Sequence, residues 1–202
     1  MLCQHAVRKG WLGDVFQIQA DMNHNYGGEA YPAYMANFTG GIMYNLGCHP
    51  IDWVVSLLGR PDNVTAFPKA MPGVAADINT NGLAVIEYPH ANVTVRACSN
   101  AVDGIKQRRL TVCGTKGTFD LCPLENYDGN PMQATLILTE DNERYDAGTH
   151  TVEFEGMTDR YVAQMQELAQ IIRGEIEAPH SYDHDRLVHE VVLAASGYTN
   201  WE

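Results

Sequence analysis

Hydrophobic and polar positions along this chain follow two different periods, and the switches between them mark its elements. Residues 14–23 (DVFQIQADMN) alternate: Val15, Gln17 and Gln19 oppose Phe16, Ile18 and Ala20, as in a strand with one buried face. The first ten residues read as the tail of a helix stopped at Gly10 or Gly13. Residues 24–41 are rich in glycine and tyrosine and read as a long loop, a length that often carries function in a compact domain. Residues 42–58 are the longest apolar stretch. There Met43, Leu46, Pro50, Val54 and Leu57 keep helical spacing and Gly59 closes the helix. Pro50 has no N–H to donate, so a kink or a late helix start is expected.

From 62 to 156 the period becomes two. Val93, Val95 and Ala97 alternate with Thr94, Arg96 and Cys98; Leu110 and Val112 with Thr111 and Cys113; Phe119 and Leu121 with Asp120 and Cys122; Leu136 and Leu138 with Thr135 and Thr139. Turn residues separate these runs at 89–92, 114–117 and 128–131, which predicts a meandering antiparallel sheet. Two helices follow. One carries the stripe Tyr161, Met165, Leu168, Ile172, with Asp159 in its first turn, Arg173 in its last and Gly174 as cap. The other carries Leu187, Val191, Ala194, Tyr198 and is capped by Ser181 or Asp183. The fold class is therefore α+β: one large open, predominantly antiparallel sheet with helices packed on one face, in a single domain over residues 1–202. Several strands carry apolar residues on both faces, so the second face is expected to be covered by another copy, giving a homo-oligomer.

Composition narrows the function classes. The 202 residues are 45% hydrophobic, enough for a sizeable core. Thirteen basic and 25 acidic residues give a formal net charge of −12, which disfavours nucleic acid and membrane surfaces as partners. The one dense basic run, Lys106, Arg108, Arg109, sits in a strand-like pattern. No apolar run reaches membrane-spanning length and the first residues lack a signal-peptide core. Five cysteines with no C-x-x-C pair argue for reduced thiols and a cytoplasmic setting.

The sharpest candidate chemistry is a polar stripe on the 42–58 helix. Asn45, His49 and Asp52 are spaced i, i+4, i+7 and fall within about 60° of one another at helical pitch. An imidazole beside an amide and a carboxylate can move a proton on and off a hydroxyl or carbonyl. The plainer reading is a buried hydrogen bond between His49 and Asp52 that ties the helix to a loop. His180, His184 and His189 with Asp183 and Asp185 suggest a metal site, but the spacing fits a helix cap and surface better. Residues 114–117 (GTKG) lack the Walker spacing and read as a hairpin turn. Tyr26, Tyr31 and Tyr34 could stack on a sugar ring or simply pack their loop. No two glycines stand two apart, so G-x-G-x-x-G is absent, and with it the phosphate fingerprint of a dinucleotide-binding unit.

Residues 40–52 (GGIMYNLGCHPID) resemble the signature helix of the Gfo/Idh/MocA oxidoreductases, relatives of glucose–fructose oxidoreductase and inositol dehydrogenase. Residues 57–61 (LLGRP), 114–119 (GTKGTF), 11–15 (WLGDV) and 171–175 (IIRGE) resemble further landmarks of that family, in the expected order. The resemblance covers the family's C-terminal domain only, which shapes the substrate pocket and oligomerises through its sheet. It implies NAD(P) for the complete enzyme, held by a Rossmann domain that has no counterpart here, so no cofactor is expected to bind this chain alone. It also implies that His49 is an acid/base or proton relay. The family's aspartate position holds Asn45, which can anchor a hydroxyl but cannot accept a proton. Asp52 falls at a position read as structural. The expected function is thus the substrate-binding and oligomerisation domain of a sugar or polyol oxidoreductase, with His49 and Asn45 as catalytic candidates and Tyr26 and Tyr34 as substrate-binding candidates. The alternative is a free-standing, non-catalytic binding or assembly module that dimerises through its sheet.

Overall fold

Alternation in the strands sorts their side chains into two chemically distinct faces. The structure, a computed structural model, describes residues 2–28, 30–126, 128–156, 159 and 161–202. Eight strands form one sheet: β1 (Val15–Asn23), β2 (Asn63–Lys69), β3 (Asn81–Glu87), β4 (Asn92–Cys98), β5 (Arg109–Gly114), β6 (Gly117–Leu121), β7 (Met132–Leu138) and β8 (Gly148–Phe154). Their order is β2-β3-β4-β1-β5-β6-β7-β8. Among the described residues only β1 and β4 run parallel; every other pair is antiparallel. The predicted meander is therefore interrupted, because β1 is inserted between β4 and β5. Local periodicity identifies strands but says nothing about a neighbour that arrives from far away in the chain.

The register aligns whole rows of side chains across the sheet. One row reads Val64, Ile86, Val93, Ile18, Val112, Phe119, Leu136, His150. Its first seven members are buried. The adjacent row on the opposite face reads Thr65, Val85, Thr94, Gln19, Thr111, Asp120, Thr135, Thr151. All eight are half-buried or exposed. This corrects the expectation of two apolar faces. The open face is mainly hydroxyl, amide and charge, with Phe67 and Ile137 as its large exposed apolar residues. Phe16, expected on the buried face, is exposed where the β1–β5 register shifts between Val15 and Gln17.

Helices cover the buried face. α1 (Leu2–Arg8) ends in a turn in which Gly10 and Gly13 have φ of 73° and 69°. A side chain at Gly13 would collide with Thr115 in the β5–β6 hairpin, so this turn is latched to the sheet. The segment expected as a loop contains a short helix, α2 (Ala30–Met35). Its Pro32 sits in the first turn, where the missing N–H breaks no helical bond.

The signature segment is helical throughout. A π-helical turn (Met43–Gly47) runs directly into α3 (Cys48–Leu58). Pro50 falls in the first turn of α3 and the wider π-turn precedes it, so the helix absorbs the proline without stopping. Gly47 leaves room for the sulfur of Met43, which would lie 2.2 Å from a Cβ there. Gly59, φ 72°, ends α3 as predicted.

The last two helices differ. α5 (Tyr182–Ala195) buries Val191, Val192, Ala194 and Ala195, and its N-cap is Ser181, whose oxygen accepts from the His184 N–H at 3.2 Å. α4 (Val162–Ile172) has no buried residue, and its stripe of Tyr161, Met165, Leu168 and Ile172 is 46–75% exposed. The expectation that this stripe packs on the sheet fails. Amphipathic spacing shows that a face is apolar, not which surface covers it. Of the basic run only Arg108 is buried: it pairs with Glu125 and donates from Nε to the Asn23 carbonyl at 2.7 Å, while Arg109 pairs with Asp120 at the surface and Lys106 is exposed.

Candidate functional site

The π-turn and the start of α3 carry the candidate residues Asn45 and His49, one helical turn apart. The 100° step assumed from the sequence does not hold through residues 43–47, where π geometry replaces the 3.6-residue repeat. Asn45 and His49 are both exposed and face different concavities.

His49 lines a cavity of about 430 Å³ on the helical side of the sheet. Cys3, Pro50 and Trp53 form its helical wall; Phe119, Leu121, Met132 and Phe154 form its sheet wall. His49 and Glu155 are the titratable groups at its polar margin beside the Cys3 thiol. Burial pushes that thiol up to about 12, so Cys3 stays protonated and is no nucleophile. A concave apolar space with few polar groups is the usual form of a small-molecule site.

The plainer sequence reading, a buried bond from His49 to Asp52, does not match. His49 is exposed, and Oδ1 of Asp52 meets Nε2 of His184 at 2.8 Å. His180 stacks on His184 with ring centroids 4.3 Å apart. Among the described residues no group of three His, Cys, Asp or Glu side chains is arranged to hold a metal ion.

Asn45 belongs to an aromatic cluster. Its Nδ2 donates to the phenol oxygen of Tyr31. Tyr31 stacks on Tyr26 at 3.7 Å, and Tyr26 on His24 at 3.8 Å. Tyr34 continues the series at 6.0 Å from Tyr31, and Phe38 stands 4.9 Å from Tyr34. Burial, followed by neighbouring Tyr26, pushes the Tyr31 phenol well above its ordinary range, so it remains a neutral donor and acceptor. Asn45, Tyr26 and Tyr34 are thus connected through Tyr31, which the sequence singles out with them. His24 and Phe38 extend this series of rings; Tyr198, expected on the apolar stripe of the last helix, instead lies beyond α5 and is exposed.

Between β1 and β4, the one parallel pair, the described chain passes through two helices and two further strands rather than one crossover helix. The G-T-K-G segment is the β5–β6 hairpin. Among the described residues no G-x-G-x-x-G turn joins a strand to a helix. Nor is any helix among them long and apolar enough to cross a membrane.

Residues 2–120 match the family described as the GFO/IDH/MocA C-terminal domain. Among solved structures, the chain is similar to a levoglucosan dehydrogenase in complex with NADH and levoglucosan, at 13% identity and a TM-score of 0.76; the match covers 98% of this chain and 60% of that one. It is also similar to an NAD binding oxidoreductase from Klebsiella pneumoniae, at 15% identity and a TM-score of 0.74, with the same two coverages. The chain thus spans about three fifths of the length of these structures, and at such identity the likeness establishes the fold. Comparison with curated protein sequences finds no match.

Proposed function

This chain belongs to the GFO/IDH/MocA C-terminal domain family, and from that premise we propose that it is the substrate-binding and oligomerisation domain of an NAD(P)-dependent oxidoreductase acting on a sugar or polyol. The observation that carries the reading is His49. It occupies the position that resembles the family's histidine, and its imidazole is exposed on the wall of an apolar cavity of about 430 Å³. Such a group can take a proton from a substrate hydroxyl. Asn45, four residues earlier, can hold a hydroxyl but not its proton.

A nicotinamide cofactor supplies the redox chemistry when bound, and in this reading it is held outside these residues. The choice of cofactor and substrate class follows that of the neighbour solved with NADH and levoglucosan. Oligomerisation uses the open face of the sheet. An interface on the Thr65–Thr151 row is polar and hydrated rather than dry.

The test joins this chain to a nucleotide-binding domain, by fusion or in trans, and assays sugars and polyols with NAD⁺ and NADP⁺. His49→Ala is expected to lower turnover by roughly two to four orders of magnitude. Undiminished turnover per folded molecule would overturn the catalytic reading and favour a binding module.

A further inference from the structure

A second concavity, of about 590 Å³, opens beside the π-turn. Its wall comes from four separate parts of the chain. Tyr34 and Phe38 arrive from α2 and the segment after it, Tyr44 and Asn45 from the π-turn, His189 from α5, and Tyr198 from the segment beyond α5. Tyr34, Phe38, Tyr44 and Tyr198 are each 40–56% exposed, although large aromatic side chains normally bury their area. The rings are set at angles: Tyr34 and Phe38 meet at 50°, and Tyr44 meets His189 edge-on at 89°. That arrangement leaves ring faces available instead of stacking them shut.

The charge pattern is equally specific. No Asp, Glu, Lys or Arg lines this space among the described residues, in a chain of net charge −12. A phosphate or carboxylate finds no guanidinium or ammonium there, and a cation finds no carboxylate. The polar groups on offer are neutral hydrogen-bonding ones: the Asn45 amide, the His189 ring and tyrosine hydroxyls. A neutral molecule with apolar faces and hydroxylated edges matches both halves of this surface. A pyranose ring has that form, its C–H faces against aromatic rings and its hydroxyls toward amide and imidazole.

We infer that this cleft is a second saccharide subsite, so the substrate class is a neutral disaccharide or glycoside rather than a free monosaccharide. The inference rests on the sugar reading of the domain. Asn45 and His49 are four residues apart on one continuous helical segment, so the two concavities flank neighbouring turns. One ring occupies the His49 cavity and the next lies against Tyr34 and Tyr198.

Calorimetric titration of the full chain with glucose, maltose and cellobiose tests this without any cofactor. A disaccharide is expected to bind about tenfold more tightly than glucose, the scale of one or two aromatic contacts. The double variant Tyr34→Ala/Tyr198→Ala should lose that preference, and Tyr34→Phe, which keeps the ring, should retain it. Both side chains are exposed, so an unchanged melting temperature confirms intact folding. Equal affinity for glucose and the disaccharides, no binding of either disaccharide, or a preference that survives the double variant would overturn the inference. The two readings fail separately. A ring-dependent disaccharide preference alongside normal turnover in His49→Ala would sink the catalytic proposal and keep the subsite; loss of the preference with a His49-dependent turnover would do the reverse.

Discussion

Oδ1 of Asp52 stands 2.8 Å from Nε2 of His184, and this single contact ties the exposed side of α3 to the first turn of α5. The His184 side chain is 16% exposed and the Asp52 side chain 52%, so the bond is only partly shielded. Removing it by Asp52→Ala is expected to cost about 1 kcal/mol. In a domain of this size that lowers the melting temperature by about 2–4 °C. His184→Ala should give a similar loss, and the double variant little more than either, because both remove the same bond. Thermal denaturation followed by circular dichroism checks all three. Fully additive losses would show that the contact contributes nothing.

Gly41 is the backbone pivot on which the signature segment turns. Its φ is +54°, and a Cβ there would lie 2.1 Å from the Asn79 carbonyl oxygen, which accepts from the Ile42 N–H at 2.8 Å. Gly41→Ala combines left-handed strain with a backbone collision and should cost about 3 kcal/mol or more. Gly10, at φ +73° with nothing within 4 Å, isolates the strain alone. Gly10→Ala should cost about 1 kcal/mol. Equal losses by urea denaturation would contradict this ranking.

Arg109 grips Asp120 with both arms of its fork, Nε and Nη2 donating to the two carboxylate oxygens at 2.8 Å each. Thr111 adds a hydroxyl bond at 2.6 Å. The Arg109 bonds hold the Asp120 carboxyl below its ordinary range. A depressed carboxyl contributes stability that is present above its unfolded value, near pH 4, and is lost as pH falls through the folded value. Melting temperatures measured from pH 6 to pH 2.5 should therefore fall more steeply below pH 4 in the native chain than in Asp120→Asn. Parallel profiles would remove Asp120 from the acid response.

Thiol reactivity should follow burial. Cys3 is 4% exposed with its thiol pushed up to about 12, whereas Cys122 is exposed. Iodoacetamide should label Cys122 first in the folded protein. Cys3 should react about a hundredfold more slowly, through local or global opening. Mass spectrometry of a labelling time course reads this directly, and early modification of Cys3 would mean that α1 opens readily.

Asn45→Asp restores the carboxylate that the family resemblance leads one to expect. Tyr31 keeps its proton, so its hydroxyl can reverse role and donate to the new carboxylate. The melting temperature should move by no more than about 2 °C, a change below 1 kcal/mol. In the joined enzyme, turnover should be preserved or raised. A large loss of stability would show that Tyr31 cannot turn its hydroxyl.

The strands and helices were legible because each carries its own period: Ile18, Ala20 and Met22 along β1, and Val191 and Ala194 along α5, are buried as their spacing requires. What the sequence hid is relational. Nothing around Val15–Asn23 tells that strand to lie beside Asn92–Cys98, and nothing around Tyr161–Ile172 says what surface its stripe meets. At the site, His49 and Asn45 stood out by spacing, but which concavity each lines depends on elements packed from far away in the chain. His189 and Tyr198 reach the aromatic cleft only because α5 packs on α3 and the π-turn, a long-range contact with no local signature.

The strand nearest the amino end lies in the middle of the sheet, which gives this chain an unequal order of assembly. From β1 outward on one side, β5, β6, β7 and β8 follow in chain order, so each new strand can pair with the one before it. On the other side the sequence runs inward: β2, β3 and β4 can form a small meander first, which reaches β1 only after residues 24–91 have closed as a loop. Docking of that preformed half on β1 is the long-range event of folding and joins two locally paired blocks into one sheet. β1 is thus the keystone: without it, the halves β2–β4 and β5–β8 share no strand-to-strand bond.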